Sequence, residues 1–339
     1  GWMGSSSRKT WDMLILAYCF VAAVLPLWLL LQPRGFLGGF LLYGFLAAGV
    51  VGVVFGGFEV VTPAFLGFTS EGHGPLFPIL FVTIACGACS GFHGLVCSGT
   101  TSKQLASERH APLVGYGAML AEGVVALIAL STVMMGTEGD RPDQVFAGGI
   151  ARFLSVVGIP LELATAFGLL ALTTFIYDTL DVTTRLGRYI LQELFDWKGK
   201  LGRYAATAAT ILPAAFFLLV LPENAYLAVW SLFGTSNQLL AALTLTGIAV
   251  WLHRTARHPG IALYPAIFLL AVTGSSLLLH VRDALRGDAV GSAAGVMGIS
   301  ALVLLALASS LVLMTLRSVL RSARESTLGT HAALGQRGG

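Results

Sequence analysis

Residues Ile84 to Ser107 read IACGACSGFHGLVCSGTTSKQLAS. The segment opens as an apolar membrane-type helix and then carries Gly87, Gly91, Gly94 and Gly99, interleaved with Ser90, His93, Ser98, Thr100, Thr101 and Ser102 and running on to Gln104. Each glycine costs a helix interior about 1 kcal/mol relative to alanine, so this run predicts an interruption. Non-helical backbone at membrane depth persists only where protein buries it or where it lines a cavity. Transporters use such breaks to aim free N–H and C=O groups at substrates and ions. Close packing is the alternative, because Gly87 and Gly91 stand at the spacing that lets two helices approach. Packing alone needs neither His93 nor the polar run to Gln104, and the broken helix is the stronger reading.

The rest of the chain supplies the membrane setting. Of 339 residues, 56% are hydrophobic and 11% charged, where soluble domains carry roughly 25% charge; the mean hydropathy is +0.82. At about 20 apolar residues per span, the apolar supply suits about nine helices. They are predicted near 12–32, 36–57, 78–99, 111–135, 160–181, 204–220, 225–251, 261–280 and 293–316. Strands at these lengths leave their backbone unsatisfied in lipid unless they close a barrel. The fold class is therefore an all-α polytopic membrane protein, and a soluble enzyme, a nucleic-acid binder and a disordered chain are excluded. A net charge of +3 is too small and scattered for a polyanionic partner. The longest polar connection is expected from Val182 to Arg203.

Orientation follows from the basic residues. Placing the C-terminus in the cytoplasm puts fourteen of the 20 lysines and arginines inside, among them Arg34, Lys103, the cluster Arg185 to Arg203, and Arg317, Arg321, Arg324 and Arg337. Arg8, Lys9, Arg141, Arg152, Arg282 and Arg286 fall outside, a clear positive-inside bias. Nine helices then place Gly1 outside. A basic N-terminus there, with no signal peptide, is best explained by a cut in a longer protein. Residues 1–339 are thus expected to form a single polytopic membrane domain whose parent has further N-terminal helices.

Four places carry chemistry besides the glycine run itself. His93 is an ionisable side chain in a membrane segment, and its ordinary pKa of about 6.5 suits a proton carrier or an anion partner; an interhelical hydrogen bond is the alternative. Cys86, Cys89, His93 and Cys97 share a helix face, but they span roughly 16 Å of rise, while ligands of one zinc sit within about 4–5 Å of each other. No metal and no cofactor is expected, and the cysteines, including Cys19, read as small packing residues. Thr173 to Arg188 forms a second polar seam in which Asp178, Asp181 and Arg185 line one face. The two carboxylates near this helix end either carry protons or hold a cytoplasmic gate, or else are interfacial charges neutralised by Arg185 and Arg188. In Trp230 to Leu243, WSLFGTSNQLLAAL, Gly234 is expected to break an apolar helix ahead of Thr235, Ser236, Asn237 and Gln238. The string GTSNQLLA echoes GTTSKQLA at Gly99 to Ala106, although two copies four spans apart point the same way. Glu122 stands alone in an apolar helix, as a proton site or a buried hydrogen bond.

Three blocks resemble the signature segments of the carbon starvation protein A family: GACSGFHGLVCSGTTSKQL (Gly87–Leu105), YDTLDVTTRLGRYILQEL (Tyr177–Leu194) and LFGTSNQLLAALTL (Leu232–Leu245). The stretch Thr10–Arg34 resembles that family's mid-protein segment. The resemblance implies a fold similar to the amino acid–polyamine–organocation transporters, two inverted five-helix bundles with broken helices at the centre. It also implies a secondary-active transporter of the bacterial cytoplasmic membrane, serving peptide uptake during carbon starvation or proton-coupled pyruvate uptake. Two departures stand out: family members are usually much longer, and positions matching Cys89 and Cys97 are more often small residues.

On this reading Ser90, Gly91, His93, Ser98, Gly99, Thr100, Thr101 and Ser102 hold the polar end of a small carboxylate-bearing substrate. Lys103 attracts the carboxylate at the cytoplasmic end beside Gln104, and Gly234, Thr235, Ser236, Asn237 and Gln238 complete the cavity from a second broken helix. Protons are assigned to His93, Glu122, Asp178 and Asp181, in that order. The partners are the substrate, protons and the lipid bilayer. A channel or facilitator without ion coupling is the alternative. An intramembrane hydrolase using Ser98 or Cys97 with His93 is more distant, since no G-x-S-x-G surrounds Ser98.

Overall fold

The computed structural model describes residues 8–65, 67–70, 74–139, 141–220, 225–286 and 293–335. Gly1 and Arg337, used above for orientation, lie outside these residues, as do the side chains of Arg8, Cys86, Arg321 and Arg324. The described residues form eleven α-helices and one short antiparallel pair, β1 (Thr69–Ser70) with β2 (Gly74–Pro75). Seven helical stretches are long and apolar enough to cross a membrane: Leu31–Phe55, Glu108–Met134, Leu161–Leu194, Gly199–Leu219, Trp230–Arg254, Gly260–Arg286 and Gly295–Arg317. Each coincides with one of the nine expected spans.

The other two expected spans take different forms. The first is α1 (Arg8–Val24), only 17 residues long. It stops ahead of Pro26, which lacks an N–H and pushes Leu25 out of helical conformation. The second is two helices, α3 (Phe81–Ala88) and α4 (Gly91–Gly99), with the interruption at Cys89 and Ser90.

Two expectations are corrected. The polar connection from Val182 is helix: α7 (Leu161–Leu194) runs for 34 residues, so Asp178 and Asp181 lie within a helix rather than near its end. Leu, Arg, Tyr, Gln and Glu are adequate helix formers, and nothing stronger than Gly187 opposes them. The second break is also absent. The helix α9 (Ala225–Arg254) passes straight through Gly234. Thr235 Oγ1 donates to Ser231 O at 2.9 Å and Ser236 Oγ to Leu232 O at 2.7 Å, so the hydroxyls bond back onto the helix instead of competing with it. Gly234 faces α3, where a Cβ would make ordinary van der Waals contact with Thr83 Cα at 3.4 Å.

The chain divides into two compact units, residues 1–65 with 96–221, and 66–95 with 222–339. In the first, α2 (Leu31–Phe55), α5 (Ala118–Met134) and α6 (Pro142–Ser155) share a core of Phe45, Ile128, Met135, Ile150 and Phe153. Gly49 and Gly52 make it possible, since a Cβ at either would overlap Ile128 or Phe153. Pro142 opens α6 at a position where its missing N–H is harmless. Gly136, at φ 62°, turns the chain out of α5. Also here is α8 (Gly199–Val220), which packs on α1 and α7.

In the second unit, α9 packs against α10 (Gly260–Arg286) and α11 (Ala293–Gly335) around Leu232, Leu239, Leu277, Ala301 and Ala308. Cys89 packs against a neighbouring cluster of Ala241, Ala242 and Leu269, the role expected of it.

Candidate functional site

The interruption between α3 and α4 is built from two side chains of the second unit. Ser90 Oγ accepts from the backbone N–H of His93 at 3.3 Å, the reach of an N-cap serine onto the first turn it caps. From α9, Asn237 Oδ1 accepts the backbone N–H of Phe92 at 2.8 Å, and its Nδ2 donates to Ser90 Oγ at 3.1 Å. The buried Gly91 lets this happen: any Cβ there would overlap the backbone of Asn237 and Ala241. One amide side chain thus fixes the broken helix onto a continuous one and takes up donors that a helix start leaves unpaired.

One residue further along α9, Gln238 is fully buried, and neither its Oε1 nor its Nε2 has a hydrogen-bond partner. A buried amide left this way costs about 1–3 kcal/mol. Its neighbours on α9 are satisfied. Thr235 bonds Ser276 at 2.9 Å, and Ser231 lies 3.2 Å from His280 Nε2. His280, in the run LLLHV, was not singled out from the sequence, although an ionisable residue inside an apolar helix was signal enough. His93 itself is exposed on α4.

The rest of the Ile84–Ser107 run belongs to the first unit. Thr101, Ser102 and Lys103 form a single 3-10 turn after α4. Ser102 Oγ donates to Ser98 O at 2.9 Å, and Gln104 reaches Thr100 O at 3.4 Å. Thr100 is buried, and its Oγ1 has no hydrogen-bond partner. Gly99 faces Leu186 of α7. Lys103 Nζ sits 5.9 Å from the ring centre of Tyr189, and Gln104 accepts from Gln32 at 3.3 Å.

Asp178 and Asp181 are also in the first unit, and they converge as expected, but on different partners. Both pair with Arg34 of α2: Nε lies 2.9 Å from Asp178 Oδ1 and Nη1 lies 2.5 Å from Asp181 Oδ2. Tyr18 of α1 donates its hydroxyl to Asp181 Oδ2 at 2.9 Å and also meets Arg34. The guanidinium carbon lies 5.8 Å from the ring centres of Tyr18 and Tyr177. Arg185, one of the two expected neutralisers, instead spends its guanidinium on the backbone, donating to Ala22 O at 2.6 Å and Leu25 O at 2.7 Å. These are carbonyls at the end of α1, which a helix cannot satisfy internally. Asp181 is 1% exposed, and its Oδ1 has no hydrogen-bond donor. Gly38 makes room, since a Cβ there would lie 3.1 Å from Asp178 Oδ2. Glu122, by contrast, is exposed on α5.

Comparison with known proteins extends this picture. The family described as "Carbon starvation protein CstA" matches residues 3–140 and 134–276. The "Peptide transporter CstA" of Helicobacter pylori (strain J99 / ATCC 700824) is 33% identical over 341 residues, covering 79% of this chain and 49% of the relative. Its namesake in Escherichia coli (strain K12) is 32% identical over 342 residues, covering 78% and 48%. The "Pyruvate/proton symporter BtsT" of the same organism is 32% identical over 362 residues, covering 79% and 50%. The chain spans about half the length of the curated relatives it matches. No solved structure matches it.

Proposed function

The chain belongs to the carbon starvation protein CstA family, and on that premise we propose that it serves proton-coupled uptake of a small carboxylate-bearing nutrient, pyruvate or a short peptide. The setting is the bacterial cytoplasmic membrane, with the C-terminus in the cytoplasm and an inverted-repeat transporter architecture. The observation that carries this reading is the interruption at Cys89 and Ser90, held by Asn237, with the orphaned amide of Gln238 one residue further along the same helix. The start of α4 carries the positive end of a helix dipole, which favours a carboxylate nearby, while its Phe92 and His93 N–H groups are taken by Asn237 and Ser90. Gln238 Nε2 supplies a neutral donor and its Oε1 an acceptor, enough to recognise a keto acid or a peptide group. Ser98 to Ser102, with Lys103 and Gln104, are assigned to the substrate's passage toward the cytoplasm.

The proton falls to Asp178 and Asp181 ahead of His93 and Glu122. Two carboxylates share one arginine at Arg34, so the cluster keeps one negative charge until a proton arrives, and the donor-free Asp181 Oδ1 is a place to receive it. His93 and Glu122 are exposed, with less reason to hold a proton through a transport cycle.

The test is uptake of labelled pyruvate and of a labelled dipeptide into proteoliposomes, with and without an imposed pH gradient. Gradient-dependent uptake of either compound is expected. Uptake that ignores both the gradient and a proton uncoupler favours a facilitator, and uptake of neither compound overturns the proposal.

A further inference from the structure

Within the first unit, the end of α1, the last turns of α7 and the first turn of α8 line an open cavity of about 570 Å³. Its charged lining is wholly basic, made of Arg185, Arg188, Lys200 and Arg203, with no carboxylate among the lining residues. Arg188 is 5% exposed and Arg185 is 3% exposed, and the Nε of each has no hydrogen-bond partner. Arg188 lies over the ring of Tyr189 at 4.4 Å and within electrostatic reach of Arg185 and Arg203. Like charges gathered in a half-closed space repel, and a buried cation without a counter-charge is expensive. The first turn of α8, which begins at Gly199 on the cavity wall, adds backbone N–H groups and the positive end of a helix dipole.

These features define the occupant by chemistry. The buried guanidinium of Arg188, two exposed cations and a helix N-terminus match an anion of several oxygens rather than a single carboxylate, and arginine's planar fork suits phosphate. Arg185, whose two Nη atoms are held by Leu25 O and Ala22 O, adds charge and its Nε alone. The surroundings are apolar. Trp28 is 66% exposed beside the lining residue Leu27, Leu194 is 70% exposed at the end of α7, and Leu201 is 83% exposed beside Lys200. An interfacial tryptophan next to a basic pocket is the arrangement of a site at the membrane surface. By the distribution of lysine and arginine this end faces the cytoplasm, where anionic lipids attract basic segments. We infer that this cavity binds the phosphate group of an anionic phospholipid, with the acyl chains lying over the apolar rim. This is a site separate from the transport residues at Ser90 and Asn237.

The test uses the full chain in detergent micelles doped with equal amounts of phosphatidylglycerol and phosphatidylcholine, with bound lipid read by native mass spectrometry. Phosphatidylglycerol is expected to be retained in preference. Arg188→Gln is expected to lower that retention about fivefold, the worth of one basic residue at a membrane surface. Because Arg188 is buried and its loss can disturb folding, the double variant Lys200→Gln with Arg203→Gln provides a second measure on exposed residues, with a drop of roughly thirtyfold. Arg282→Gln, on an exposed ion pair with Asp283, is expected to leave retention unchanged. Equal retention of both lipids, or a preference that survives the double variant, overturns the inference. Displacement of phosphatidylglycerol by millimolar inorganic phosphate assigns the pocket to a soluble phosphate and overturns the lipid. Failure of phosphate to displace it supports the lipid.

Discussion

Around Asp181 the chain buries full charges, whereas around Asn237 it buries only dipoles. In the first cluster one arginine answers two carboxylates and a tyrosine hydroxyl across three helices. In the second, a single amide bridges a helix break, and the amide next to it is left unanswered. The physical consequences differ. A charge cluster in low dielectric is costly to disturb from either side, and it changes state by gaining or losing a proton. An amide cluster has no proton to exchange near neutral pH, and it answers to a ligand's donors and acceptors instead. Under the proposed function, the first region is the proton-responsive part and the second the substrate-responsive part.

The largest expected effect strikes the charged side. Arg34→Met leaves Asp178 and Asp181 without their cation and is expected to cost about 3–5 kcal/mol, read as a lowered thermal midpoint in detergent. Adding Asp181→Leu and Asp178→Asn to it is expected to recover much of that loss. No recovery breaks the picture of a mutually dependent cluster. On the neutral side the same kind of deletion is milder. Asn237→Leu strands Phe92 N–H and is expected to cost about 1–3 kcal/mol, while abolishing uptake because the break loses its fixing point. A cost as large as that of Arg34→Met erases the contrast between the regions. Asp178→Asn keeps an acceptor for Arg34 and removes one charge. Its thermal midpoint is expected to change little, and its uptake to lose dependence on the pH gradient; undiminished dependence takes Asp178 out of the proton path. Smallest of all, Lys198→Gln removes an exposed pair with Asp196 and is expected to change stability by less than about 0.5 kcal/mol. That sets the scale for charges outside the cluster.

The sequence made the membrane helices legible because apolar length is a one-dimensional property, and all seven long spans coincide with expected ones. The break at Ser90 was legible because glycines interleaved with hydroxyl residues interrupt an otherwise apolar run. Gly234 carried the same local signs and misled. A hydroxyl can compete with a helix or bond back onto it, and here Thr235 and Ser236 bond back onto α9. Asp178 and Asp181 were found by their spacing, yet their counter-ion was not. Arg34 and Tyr18 lie about 150 residues away in sequence, and Arg34 sits where a basic residue is ordinarily read as a loop charge. The length of α7 escaped notice because its last turns are polar, and hydropathy reports where lipid ends rather than where a helix does. Gln238 appeared as one of a polar string, and only the fold separates it from Asn237, which is satisfied.

That separation gives the decisive measurement. Gln238→Leu keeps the volume and removes a buried amide that has no partner. Its thermal midpoint is expected to hold or rise, while gradient-driven uptake of labelled pyruvate and dipeptide falls by about tenfold or more, the worth of a lost ligand hydrogen bond. Uptake at the wild-type rate in a protein of equal or greater stability contradicts the assignment of this amide, and of the break beside it, to the substrate.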